Sequence, residues 1–234
     1  VANTMSSPYY RFDGSNDEIY TADGTNLNNA EYISAVVWAK NDSSALSGEQ
    51  TLCARYNAAI DRRVWTFAID ADEKLYSRFG NTAVQITYVT SDSALTDIDK
   101  WHCYAFTFSK GTIVFYVDGV AIDTTNTGTA ITSLEDVDTQ MLDIGGRITD
   151  NASYWGGEIQ DVKVFNKVLT APEVKELYSG ASVPFKYKGA NQTEMVTNGG
   201  FDADTDWSHT NTSIAGGVLV FDGTGTAYAR QTIG

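Results

Sequence analysis

Proline is scarce in this chain, with three in 234 residues, so it is no Pro-rich linker protein. Cysteine is scarcer: Cys53 and Cys103 are the only two, too few for a disulfide framework or to fix the redox compartment. Histidine also occurs twice, at His102 and His209, and no His/Cys zinc spacing is present. The formal net charge is −14 and no cluster of four or more Lys/Arg exists. A duplex-binding surface needs a basic patch to displace counterions, so nucleic acid is excluded as a partner. No apolar run approaches the ~18 residues of a membrane-crossing helix, so no membrane insertion is expected.

What is present is apolar, aromatic and turn-rich. Hydrophobic residues make up 42%, including thirteen Tyr and five Trp, enough for a substantial core at this length. Gly, Thr, Asn and Asp gather between short apolar runs, as they do in turns between strands. Tyr9 to Phe12, Thr51 to Tyr56, Ile33 to Ala39, Arg63 to Asp70, Lys74 to Phe79 and Val84 to Val89 read as strands spaced near ten residues. The clearest hairpin runs from Trp101 to Phe108, turns at Ser109-Lys110-Gly111 and returns through Thr112 to Val117. Asp118-Gly119 then makes a second tight turn. The pattern predicts an all-β sandwich of two antiparallel sheets.

One helix is predicted, over Ala171 to Ser179. Thr170 with Glu173 forms a capping box, Pro172 is harmless in the first turn, and Val174, Leu177 and Tyr178 form the apolar stripe. The expected organisation is a sandwich over 1–180, a linker over 181–194 and a short β-rich tail over 195–234.

The ordered motifs resemble a known family. Phe12-Asp13-Gly14-Ser15-Asn16-Asp17, Ile33 to Lys40, Trp101-His102 with Phe115-Tyr116-Val117-Asp118-Gly119, and Tyr154-Trp155-Gly156-Gly157-Glu158 to Asn166 resemble the strands of laminin G-like, concanavalin A-like lectin-glucanase jelly rolls. Leu169 to Tyr178 resembles their docking helix. The tail, Val196 to Asp202 with Trp207, resembles the start of carbohydrate-binding-module jelly rolls, and such tandems resemble phage tail, fibre and surface proteins. The resemblance implies a jelly-roll fold and an extracellular or virion-surface setting. It also implies calcium at a rim or beside the first strand.

Catalytic patterns are weak. Glu158 and Asp161 are offset by three, which in a regular strand puts their carboxylates on opposite faces, and the three alternating acids of glucanases are absent. No Gly-x-Ser-x-Gly elbow or phosphate loop occurs, so the chain is not expected to be an enzyme. Asp13, Asn16 and Asp17, with Asp161 from the closing strand, are the candidate calcium ligands; plain turn chemistry is the alternative. Apolar Ile159 and Val162 sit out of phase, which points to a β-bulge re-aiming Asp161, or to a fully buried strand. Tyr154, Trp155 and Asn151 are the candidate glycan contacts, with Tyr56, Asn57 and Tyr88 behind them; core packing is the alternative. A Cys53–Cys103 bridge would close a loop of about fifty residues and add roughly 3–4 kcal/mol, the alternative being two buried thiols.

These residues lead to a non-catalytic module binding a polysaccharide or cell-surface glycan. The rival readings are a structural virion component, such as a capsid decoration or tail fibre, and a degenerate glucanase. If the protein ends near Gly234, the apolar tail leads to an expected homo-oligomer assembled through residues 195–234; if it runs on, further strands complete a partial carbohydrate-binding-module-like domain instead.

Overall fold

The computed structural model describes residues 9–21, 31–43, 46, 48–57, 62–81, 85–135, 141–147 and 153–179, and further on 208–210, 212–215, 218–221 and 228–230. The chain divides into two compact units, Val1–Val183 and Pro184–Gly234.

In the first unit, alternating apolar runs become strands wherever turn residues reverse the chain. These are β1 (Tyr10–Asp13), β2 (Ile19–Tyr20), β3 (Tyr32–Asn41), β4 (Gln50–Asn57), β5 (Arg62–Ile69), β6 (Leu75–Gly80) and β7 (Ile86–Ser91). There follow β8 (His102–Ser109), β9 (Thr112–Val117), β10 (Val120–Ile122), β11 (Thr124–Gly128), β12 (Asp143–Ile144), β13 (Gly156–Phe165) and the helix α1 (Ala171–Tyr178). The first sheet has six strands in the order β1-β13-β3-β8-β9-β10, and the second has seven in the order β11-β7-β6-β5-β4-β12-β2. All pairings are antiparallel, and the result is the jelly-roll sandwich that the sequence predicts.

Side-chain alternation sends one set of residues between the sheets. On β8, Tyr104, Phe106 and Phe108 point inward and are buried. Phe106 meets Trp65 at 5.3 Å, Phe67 at 5.2 Å and Phe79 at 5.3 Å, all edge-on, which is the favoured geometry for ring quadrupoles. The opposite face of the first sheet carries Val36, Cys103, Ala105 and Tyr116, which bury Leu169 and Val174 from the helix segment. Tyr178 stacks on Trp38 at 5.8 Å.

The capping box forms as the sequence requires. Thr170 Oγ1 accepts the Glu173 N–H, and Glu173 Oε2 accepts the Thr170 N–H at 2.7 Å. The Asp118-Gly119 turn also forms as expected, with φ of 51° and 76° at its two central residues, a type I′ hairpin turn. Glycine suits this positive-φ position beneath the helix, where a Cβ on residue 119 would lie 3.0 Å from the Lys175 Cα, closer than an ordinary contact.

Two sequence expectations meet the geometry directly. The register between β13 and β3 slips between Gln160 and Lys163, so the bulge exists, and Asp161 adopts φ 56° within it. The disulfide does not form: both thiols are free. Cys53 points into the core between the sheets, whereas Cys103 faces the helix. The first sheet itself stands between them.

In the second unit, β14 (Ser208–Thr210) pairs with β17 (Tyr228–Arg230), and β15 (Thr212–Ala215) pairs with β16 (Val218–Phe221). Ile214 is its buried apolar residue among those described. The linker over 181–194 and the start of the tail lie outside the described residues.

Candidate functional site

The outer face of the second sheet is built by the residues that alternate with its core. Trp65 and Phe67 on β5 point inward, so Thr66 and Ala68 point outward. Thr66 pairs with Arg78, Arg78 with Tyr88, and Ala68 with Tyr76, which sets Tyr76, Arg78 and Tyr88 on that same outer face. Thr66 and Ala68 are nonetheless fully buried. The long side chains around them form a layer over the sheet.

That layer is tightly bonded. The Arg78 guanidinium lies 5.1 Å from the centre of the Tyr76 ring and 5.8 Å from that of Tyr56. Arg147 lies 5.1 Å from the Tyr56 ring. Glu49 joins the two arginines, at 2.7 Å from Arg78 and 3.2 Å from Arg147. Arg78 Nε donates to the Tyr76 hydroxyl at 2.8 Å, and Arg147 donates to Ser153 Oγ at 2.9 Å. Tyr76 and Tyr88 stack at 6.4 Å. Burial alone would lower the Arg78 pKa, but Glu49 and then Tyr76 more than offset it and hold it raised. Burial also pushes the Tyr76 hydroxyl up, so it stays neutral while accepting from Arg78. The layer combines flat aromatic faces with fixed donors and acceptors, and its Arg and Glu charges partly cancel.

The predicted site residues fall into three groups. Tyr154 stands half-buried beside this layer: Gly146 packs against its ring and Glu18 influences its hydroxyl, whose pKa is raised by burial and then by Glu18. Trp155 is a correction. It is 0% exposed and packs in the core, so no sugar can stack on it. Asn151 lies outside the described residues.

The four calcium candidates do not converge. Asp13 Oδ1 accepts the N–H groups of Ser15 at 2.8 Å and Asn16 at 3.2 Å, and Asp17 Oδ2 accepts the Asp13 N–H at 2.9 Å. These N–H groups hold the Asp13 carboxyl below its ordinary pKa. Asp161 is elsewhere: Asp13 pairs with Gly156, five residues back along β13, roughly 16 Å at ~3.3 Å per residue. Its carboxylate is bonded to Lys163. Among the described residues no group of three or more His, Cys, Asp or Glu is poised to hold a metal ion.

Sequence reading missed Glu49, Tyr76, Arg78 and Arg147. Tyr76 and Arg78 left a signal, since they alternate with the apolar Leu75 and Phe79. Arg147 left none, because its partners come from distant segments. The other carboxylate candidate, Glu158, is buried and held by Arg11 at 3.1 Å and Lys40 at 2.9 Å.

Residues 13–175 match the family model described as the concanavalin A-like lectin/glucanases superfamily. No curated protein matches the chain in sequence. Several solved structures share its fold. The CBM40 domain of the Ruminococcus gnavus IT-sialidase, bound to α2,3-sialyllactose, superposes with a TM-score of 0.54 at 16% identity over 70% of this chain and 100% of that one. The native heptameric SAP-like pentraxin from Limulus polyphemus gives 0.51 at 13% identity, over 72% and 80%. The binding domain of botulinum neurotoxin serotype G gives 0.55 at 16%, over 72% of this chain and 41% of that one.

Proposed function

This chain belongs to the concanavalin A-like lectin/glucanases superfamily, and from that premise we propose that it is a glycan-binding module that acts by adhesion and not by catalysis. The observation that carries the reading is the stacked pair Tyr76 and Tyr88, interleaved with Arg78, Arg147 and Glu49; Tyr56 is itself buried and supports the two guanidiniums from below. Sugar C–H faces pack on aromatic faces, while guanidinium, carboxylate and phenol groups bond the hydroxyls. The CBM40 domain of like fold was solved with a bound sialyllactose, which supports the same use of the fold here.

The two carboxylates that the sequence offered for catalysis support adhesion over hydrolysis. Glycoside cleavage takes two of them across one cleft, about 5–10 Å apart. Glu158 is buried in ion pairs and Asp161 is tied to Lys163. A polysaccharide or cell-surface glycan is the partner proposed, and the setting is outside the cell or on a virion surface. Among the described residues no helix is long and apolar enough to cross a membrane. Calcium at the Asp13–Asp17 turn is a subsidiary proposal, and a melting temperature unchanged by EDTA overturns it.

A glycan array on the whole chain, with and without calcium, tests the main proposal. For any glycan retained, Tyr88→Ala should weaken binding about tenfold, equivalent to about 1.4 kcal/mol, without lowering the melting temperature appreciably. A blank array in both conditions overturns the reading in favour of a structural part in a capsid or tail fibre.

A further inference from the structure

The two sheets part along the β10 edge and leave a cleft of about 550 Å³. That is within the ~300–1,000 Å³ range of small-molecule sites. Its floor is apolar, formed by Leu95, Val117 and Ile122, which also pack against the core. One wall is the pair His102 and Asp118, joined Nδ1 to Oδ2 at 2.8 Å. The rim carries Asp92 and Asp123, held side by side by the Asp92 N–H donating to the Asp123 carbonyl at 3.0 Å.

Apart from His102, which is paired with Asp118, the charges lining this cleft are acidic: among the described residues no Lys or Arg lines it. His102 is already committed, because its Nε2 lies 3.1 Å from the Asp97 carbonyl while Nδ1 faces Asp118. Asp118 is committed too, accepting from His102 and from the Cys103 N–H at 2.9 Å. The rim carboxylates are what remain to act on a ligand. Asp92 uses Oδ1 to accept the Thr125 hydroxyl at 2.8 Å, which fixes its orientation. Two carboxylates without a third ligand do not make a divalent-ion site, and among the described residues no such metal group exists. They do suit an organic ammonium, and the apolar floor suits the carbon face of a small ring. The hydroxyls of Ser93 and Thr96 add hydroxyl-bonding partners.

We propose that this cleft is a second ligand site, distinct from the outer-face layer, that takes a hexosamine with a free amino group in its ammonium form. The ammonium sits between Asp92 and Asp123, and the ring lies over Leu95, Val117 and Ile122. The proposal does not depend on the outer face binding any glycan.

Three probes differing only at one ring carbon test it: methyl β-D-glucosaminide, its N-acetyl form and methyl β-D-glucoside. Titration calorimetry on the full chain, below the amine's pKa, should show the glucosaminide binding at least tenfold more tightly than either neutral probe. The double variant Asp92→Asn/Asp123→Asn should bring the three within about twofold. Glu176→Gln, an exposed carboxylate on the helix, controls for the overall negative charge and should keep the preference. Tyr88→Ala should also keep it, which separates this site from the outer face. Equal binding of the three probes, no binding of any, or a preference that survives the double variant overturns the proposal. A melting curve on each variant confirms that it is folded.

Discussion

His102 shows how one side chain can tie several segments together. Both of its ring nitrogens face oxygen acceptors, the Asp118 carboxylate and the Asp97 carbonyl, and both can be satisfied only by the protonated ring. The Asp118 hydrogen bond is the main cause of its raised pKa, acting against burial. The sign follows from linkage: a group whose folded pKa is raised stabilises the fold fully below its unfolded pKa, about 6.5 for His. That stability is lost as pH rises through the higher folded value. The urea midpoint should therefore fall between pH 6 and pH 8.5, and His102→Asn should flatten that fall. A wild-type midpoint that is constant over this range rules out the linkage. Asp118 contributes with the opposite pH sense, since its folded pKa is lowered and its share disappears in acid.

At the level of single elements, β8 and α1 carry separate loads. Phe106 on β8 is the ring on which Trp65, Phe67 and Phe79 converge. Phe106→Ala should cost about 3–5 kcal/mol, the range for emptying a packed aromatic site, and denaturant titration measures it. Thr170→Ala removes the helix cap and should cost only about 1 kcal/mol. If the two costs were similar, the helix would be holding the sandwich and not merely docking on it. Elements with strong local chemistry were readable in advance. Asp118-Gly119 announces a I′ turn, and Thr170 with Glu173 announces a cap, because both signals lie within four residues. β2 and β12 have two residues each, too few for any period to show, and β11 reads as a polar loop because every residue is Thr, Asn or Gly. Trp155 misled for a physical reason. The glycines after it look like a loop, yet Gly157 permits the backbone to approach the Lys40 carbonyl closely, and the indole turns inward.

For the whole chain, the sandwich was legible from order and spacing, while the candidate site was only half legible. Tyr56, Tyr88 and Tyr154 could be suspected as exposed aromatics. The arginines and Glu49 that complete the layer meet only after folding sets β4 and β6 on either side of β5 and brings up the segments around Arg147 and Ser153. The tail raises a question of assembly. Its two described strand pairs, the β15–β16 hairpin and β14 with β17, are short, and two-stranded pairs of this size are marginal in water. If no further strands follow Gly234 to complete this unit, residues 195–234 should pair with the same segment of other copies. Light scattering on the full chain and on a chain ending at Gly180 checks this: an oligomer that persists in the shorter chain refutes it.

The placement of the two thiols gives the molecule a pair of built-in reporters. Cys53 lies between the sheets and Cys103 beneath the helix, both shut from solvent, with burial pushing the Cys103 thiol up to about 12 and Cys53 higher still. A thiol-reactive dye can reach either one only when its own cover lifts. The labelling rate of Cys103 therefore times the lifting of the helix, and that of Cys53 times the parting of the sandwich, without any residue being changed.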